Sequence, residues 1–366
     1  MTESETNEIY LSSSPHFSSG VKTQNIMLAV LISLLPECVY GVVLFGIRAL
    51  VTILVSVAGA VLFEALFQKI IKQKVSVNNL SAAVTGVLLA LVCPPSIPIW
   101  MILLGDLVAV VVAKGLFGGL GANVFNPALT GRAFLFVSFS SVMGASWLKT
   151  SGGFNKWSYA ATSISSVDAI SSATVLSGIK AGTFELSSGT FLQFFLGNKE
   201  GCIGETSVLL ILISFIFLVA SKVIDWRAPL AMVGTVAVAT FISSFIALGD
   251  AAGALSEVLL ALMTGGLLFG ATFMVTDYAT TPVTKPGRLL FGFGCGLVTF
   301  LIRRFGGYPE GVMFSILIMN ALAPFMNYLT VRKYGYGKKG HAKKTPKIIV
   351  QEFNTNNAKA SAEASK

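Results

Sequence analysis

Ten long apolar runs constrain this chain more than any other feature, at about residues 26–46, 49–70, 82–96, 98–116, 127–147, 207–224, 229–248, 256–275, 287–302 and 311–330. A helix needs about 20 mostly apolar residues to cross the hydrocarbon core of a bilayer. Only helices and closed barrels satisfy their backbone amides there without water. Runs this long and this closely spaced predict an all-α polytopic membrane protein of about ten transmembrane helices. A water-soluble fold would have to bury all of them with only 12% charged residues to form its surface, against about 25% in an ordinary soluble domain. The third run is short and closes on "CPPSIP", which predicts a broken or re-entrant helix.

Charge placement orients the spans. An even number of crossings puts both termini on one side. With the termini inside, Lys22, Lys69, Lys72, Lys74, Lys114, Lys222, Arg227, Lys285, Arg288 and a basic tail all fall on the inner face. The outer face then holds Arg48, Arg303, Arg304 and four lysines spread over one long loop, the bias expected of a cytoplasmic inner face. Seven of the 26 basic residues lie between Arg332 and Lys347. That cluster accounts for most of the net charge of +9 as a juxtamembrane signal, and no aromatic interleaving or nucleic-acid motif accompanies it. The polar, acidic opening stretch lacks the basic and apolar regions of a cleaved signal peptide, so the first span is expected to direct insertion. The expected organisation is a cytoplasmic N-terminal tail at 1–24, a five-helix repeat at 25–147, an extracytoplasmic loop at 148–206, a second repeat at 207–330 and a cytoplasmic tail at 331–366.

The repeat is visible in two segments, "KGLFGGLGANVFNPALTGR" and "GGLLFGATFMVTDYATTPVTKPGR". Both pass from a small-residue "LFG" through a polar stretch bearing Thr, Asn or Pro to a Gly-Arg pair. An odd number of spans per unit inverts the second unit relative to the first, a plan that places broken helices at the repeat interface near mid-membrane. The glycine patterns "FGGLG" and "FGFGCG" lie in apolar surroundings and are expected to serve close helix packing rather than phosphate binding.

Several chemistries are excluded. Cys38, Cys93, Cys202 and Cys295 form no C-x-x-C pair, and His16 and His341 lie outside the apolar runs. An in-chain iron–sulfur cluster, a bis-histidine haem and a zinc site are therefore not expected. The long loop, in contrast, holds "SVDAISSATVL". Its Asp168, Ser171, Ser172, Ala173 and Thr174 fit D-x-x-[S/T]-x-A-T, which resembles the acceptor signature for covalent FMN attachment by a flavin transferase. A phosphoester to Thr174 needs an accessible hydroxyl with small neighbours, which this stretch supplies. Ser172 stands where glycine is usual in that signature. The alternative is an ordinary Ser-rich surface loop.

The segments "NNLSAAVTGVLLALVCPP", "KGLFGGLGANVFNPALTGRAF", "VDAISSATVLS", "GETSVL", "TGGLLFGATFMVTDYATTPVTKPGR" and "GGYPEGVMFSILIMNALAPF" together resemble the D subunit of the Rnf ion-translocating ferredoxin:NAD+ oxidoreductase. They are also similar to the B subunit of the sodium-translocating NADH:quinone reductase, and the short region before the first span favours the former. The resemblance implies a bacterial inner-membrane component of a six-subunit complex, an electron relay within a sodium- or proton-translocating oxidoreductase. It also implies FMN bound covalently through Thr174, and a non-covalent riboflavin between the spans. Nothing in the chain resembles a G-x-G-x-x-G nicotinamide site following a strand, so NAD+ chemistry falls to a partner. A non-redox solute channel or carrier of inverted-repeat type is the alternative from another class.

For the second flavin the candidates are Asn123, Asn126, Thr130 and Arg132 in the first repeat segment, with Thr272, Thr276, Asp277, Thr280 and Thr281 in the second. Helix capping at Asn-Pro and Thr-Pro pairs is the structural alternative. For an ion pathway the candidates are Asp106 and Glu64, followed by Glu37 and Asp277, because a carboxylate in lipid is costly and usually faces a cavity or a partner. The structural alternatives are an ion pair of Asp106 with Lys114 two turns on or with a partner subunit, and for Glu64 an ion pair with Lys69 or snorkelling to the interface.

Overall fold

The computed structural model describes residues 22–73, 75–145, 188–197, 199, 201–306 and 310–330. The "SVDAISSATVL" stretch and the basic tail therefore lie outside the described residues. Among those residues every regular element is helical.

Five helices are long and apolar enough to cross a bilayer: α1 (Thr23–Phe45), α2 (Ile47–Ile70), α9 (Arg227–Leu248), α12 (Lys285–Phe305) and α13 (Val312–Thr330). A sixth crossing is formed if α10 (Ala251–Met263) and the segment Leu267–Met274, bent by 61° across a short break, count as one span. The other four apolar runs are also helical but shorter. They form α3 (Ser81–Leu91), α4 (Ile99–Leu107) with a π-helical continuation at Val108–Gly115, α5 (Pro127–Ser138) with α6 (Ser140–Ala145), and α8 (Val208–Ala220). Between α6 and α8 the described residues include α7 (Ser188–Leu196). The short helix expected at 82–96 is thus present and ends at Leu91, ahead of the prolines.

Glycine decides how closely the helices pack. Gly46, at φ 78°, makes the left-handed joint between α1 and α2. A Cβ at Gly86 would lie 2.8 Å from the Ser56 carbonyl oxygen of α2, and one at Gly296 would lie 2.6 Å from the Met232 carbonyl oxygen of α9. The "FGFGCG" pattern therefore serves close packing, as expected for small residues at membrane helix interfaces. The "FGGLG" pattern does not. Gly118, Gly119 and Gly121 take φ values of 112°, 93° and 88°, and no neighbouring atom lies within 4 Å of a Cβ built at Gly119 or Gly121. These glycines turn the chain rather than admit a helix.

One apolar core joins both halves, including Leu34, Leu89, Ile102, Leu129, Met232, Phe269 and Phe291. Large apolar side chains such as Leu54, Val137, Ile246 and Phe325 point outward, as lipid contact requires.

Candidate functional site

The two repeat segments share a local design. In the first, α4 widens into π-helical turns at Val108–Gly115, the glycine loop follows, and Asn126 caps α5 by accepting from Leu129 N at 3.2 Å, with Pro127 in the first turn. In the second, α10 breaks at Thr264–Gly266. A single turn, α11 (Leu267–Phe269), then passes into π-helical Gly270–Met274, and Thr284 caps α12 by accepting from Gly287 N at 3.1 Å, with Pro286 in its first turn. Asn and Thr before Pro are good helix starters because the side chain satisfies an amide the helix leaves orphaned. Asn126 also joins the two segments, donating from Nδ2 to the Met274 carbonyl at 3.4 Å.

A cavity of about 350 Å³ lies where the segments meet. Of the residues singled out in the sequence, Asn123, Asn126, Thr272, Thr276 and Asp277 line it. Val84, Leu88, Met27 and Phe273 supply apolar wall, and Ser81 and Lys114 complete the polar side. The volume is within the range of about 300–1,000 Å³ usual for small-molecule sites, and the mixture of apolar wall with a few convergent polar groups is typical of them. Thr130, Thr280 and Thr281 instead bond locally, to the Asn126 carbonyl, the Asp277 carboxylate and the Val275 and Asp277 carbonyls respectively.

Arg132 lies elsewhere, at the break in α10. It donates to Glu310 Oε2 at 2.8 Å and stands 4.0 Å from Glu205 Oε1. Around the same break Arg303 donates to the Ala261 carbonyl at 2.7 Å and the Thr264 carbonyl at 3.4 Å, Lys199 donates to the Met263 carbonyl, and Gly266 N donates to Glu310 Oε1 at 3.2 Å. The cluster supplies partners to backbone groups that a broken helix leaves bare in a low-dielectric setting. Burial, and next the Glu310 charge, push the Glu205 carboxyl up to about 8. Burial acts the same way on Glu310, but the Arg132 charge and hydrogen bond outweigh it and hold that carboxyl below its usual value. Glu205 and Glu310 escaped attention in the sequence, although "GETSVL" and "GGYPEGVMF" contain them.

The buried acids pair differently from the expected alternatives. Lys114 binds Glu64, with Nζ 2.8 Å from Oε1, and not Asp106; Glu64 in turn is buried and does not pair with Lys69. Asp106 is fully buried, with Oδ1 2.8 Å from the Ser56 hydroxyl, which lies at the same distance from the Gly86 carbonyl. Asp106 Oδ2 has no hydrogen-bond partner. Asp168, Ser171, Ser172, Ala173 and Thr174 lie outside the described residues.

Spans, helix breaks and a shared polar cavity define a multi-pass membrane protein with a cavity between two broken helical segments. Residues 10–335 match the NQR2, RnfD, RnfE family, and the chain belongs to that family. It is 38% identical over 328 residues to the D subunit of the proton-translocating ferredoxin:NAD(+) oxidoreductase complex of Clostridium ljungdahlii, covering 87% of this chain and 94% of that one. It is 38% identical over 336 residues to the D subunit of the Na(+)-translocating ferredoxin:NAD(+) oxidoreductase complex of Acetobacterium woodii, covering 91% and 98%. The D subunit of an ion-translocating oxidoreductase complex of Escherichia coli is 35% identical over 355 residues, covering 90% and 99%.

Proposed function

We propose that this chain is the D subunit of an Rnf-type ion-translocating ferredoxin:NAD+ oxidoreductase and relays electrons within it through flavin. The observation that carries the reading is the cavity between the broken repeat segments, in a chain whose relatives are named as D subunits of such complexes. Flavin suits the task because it exchanges one or two electrons and so joins one-electron donors to a two-electron acceptor. The cavity residues fit a non-covalent riboflavin. Asn123, Asn126 and Asp277 offer donors and acceptors for the polar edge of the ring, and Val84, Leu88 and Phe273 offer apolar surface for the rest.

A covalent FMN on Thr174 belongs to the same proposal and rests on the sequence motif. Asp168, Ser171, Ser172 and Ala173 are its recognition context for a flavin transferase, on an extracytoplasmic loop with both termini cytoplasmic. The other five subunits are taken to hold the nicotinamide site and the remaining redox centres. Asp106 and Glu64 are assigned to the cation pathway, their carboxylates suiting sodium or a proton. Unchanged ion uptake per electron in an assembled Asp106→Asn complex would remove Asp106 from that pathway.

In-gel fluorescence tests the covalent flavin. Denatured protein co-produced with the transferase is expected to fluoresce, and Thr174→Ala to be dark. A dark wild-type band would return the loop to an ordinary surface segment and favour a non-redox carrier.

A further inference from the structure

Lys114 is the only cationic residue among the described residues that line the cavity. Its ammonium donates to Glu64 Oε1 at 2.8 Å and to Ser81 Oγ at 2.6 Å, and Ser81 lines the cavity as well. On the far side Glu64 Oε1 accepts from Gln68 Nε2 at 3.4 Å, and Gln68 bonds the exposed Ser76 hydroxyl at 2.9 Å. A polar file therefore runs from the surface at Ser76 through Gln68 and Glu64 to Lys114 at the cavity wall. Glu64 Oε2 is buried and has no hydrogen-bond partner, so one carboxylate oxygen remains available to a proton. Asp277, within electrostatic reach of Lys114, and Tyr278 are the other ionisable groups among the described residues on the cavity. Asn79, which accepts from Ser81, is neutral. The desolvation cost of a buried ion pair can exceed its attraction, and a pair that only joined α2 to the π-helical turns would not need to open onto a cavity at one end and a polar surface at the other.

We propose that Glu64 and Lys114 form the proton relay of this cavity, delivering protons from the Ser76 surface to a redox group bound there; the proposal rests on the flavin reading of the cavity. Partner centres of the one-electron iron–sulfur type supply two electrons in succession. Lys114 then gives up one proton: its N–H bond breaks, the electron pair stays on the lysine nitrogen, and an N–H bond forms at the ring nitrogen that gains hydrogen on reduction. Glu64, protonated by a hydronium ion that enters from the Ser76 surface and leaves as water, passes that proton to Lys114, which restores the ammonium and the carboxylate. The net result is two electrons and one proton entering the cavity, with the added negative charge beside the Lys114 cation. Oxidation returns the proton by the same route.

The test uses the purified complete complex, and the proton uptake assigned to this site is the part that is lost together with non-covalent flavin in Asn126→Ala. Reduction is triggered by a flash-activated photosensitiser and proton uptake is followed with a pH-indicating dye. Lys114→Arg keeps the positive charge, but a guanidinium does not release a proton. It is expected to retain the flavin and to slow proton uptake at least tenfold, and Glu64→Gln is expected to do the same. Wild-type uptake in flavin-replete Lys114→Arg overturns the relay and leaves the cavity reading intact. If Lys114→Arg does not assemble, the near-isosteric Glu64→Gln carries the test, and wild-type uptake there is equally decisive. Non-covalent flavin that is insensitive to Asn126→Ala sinks the cavity reading itself.

Discussion

Two buried ionic sites among the described residues use charge in opposite ways. At the break in α10, Arg132, Arg303 and Lys199 surround Glu205 and Glu310, and much of their donor capacity goes to the Ala261, Met263 and Thr264 carbonyls. At the end of α2, one Glu64–Lys114 pair opens onto a cavity. The first arrangement uses charge to satisfy backbone that a membrane cannot solvate. The second holds charge at a cavity wall, and that is where chemistry is expected.

Arg132→Met is expected to have the largest effect on stability. It strips Glu310 of its ion partner, and breaking a buried pair costs about 3–5 kcal/mol. A thermal-shift measurement in detergent is expected to show a clearly lowered transition; a wild-type value would mean that the cluster does not hold the break. Glu64→Gln should cost less, about 1.5–3 kcal/mol for a hydrogen bond to a charged group, because the amide oxygen still accepts from Lys114. A greater loss from Glu64→Gln than from Arg132→Met would invert the contrast between the sites.

The pH dependence sharpens the contrast further. The folded-state Glu205 value of about 8 lies above its ordinary 4.5, so the folded protein holds this proton more tightly than the unfolded chain. Its stabilising contribution is complete below pH 4.5 and is lost as pH rises to about 8. The thermal transition should fall across that window, and Glu205→Gln should flatten the fall. An unchanged slope in the variant would place the titrating group elsewhere.

Hydrophobic length is a local property, so all ten apolar runs were legible as helices before their packing was known. The five cavity residues were legible too, since Asn, Thr and Asp stand out between apolar runs and the repeat flagged both segments. Pairings were not legible. Lys114 lies two ordinary turns from Asp106, but the turns at Val108–Gly115 are π-helical; their wider ladder changes the face on which Lys114 emerges and delivers it to Glu64 on α2. Arg132 carried a functional expectation because its partner Glu310 is 178 positions away, a distance no motif spans. The glycines of "FGGLG" resembled packing residues because composition cannot distinguish a helix contact from a turn. Only their positive φ angles separate the two.

A flavin held between the two broken segments is open to a simple count of the non-covalent flavin in the complex. In the Thr174→Ala background, flavin released from the purified complex by mild denaturation is expected at about one per chain. Combining Asn126→Ala with Asp277→Ala should remove most of it while the complex remains assembled. Full occupancy in that combined variant would contradict the account.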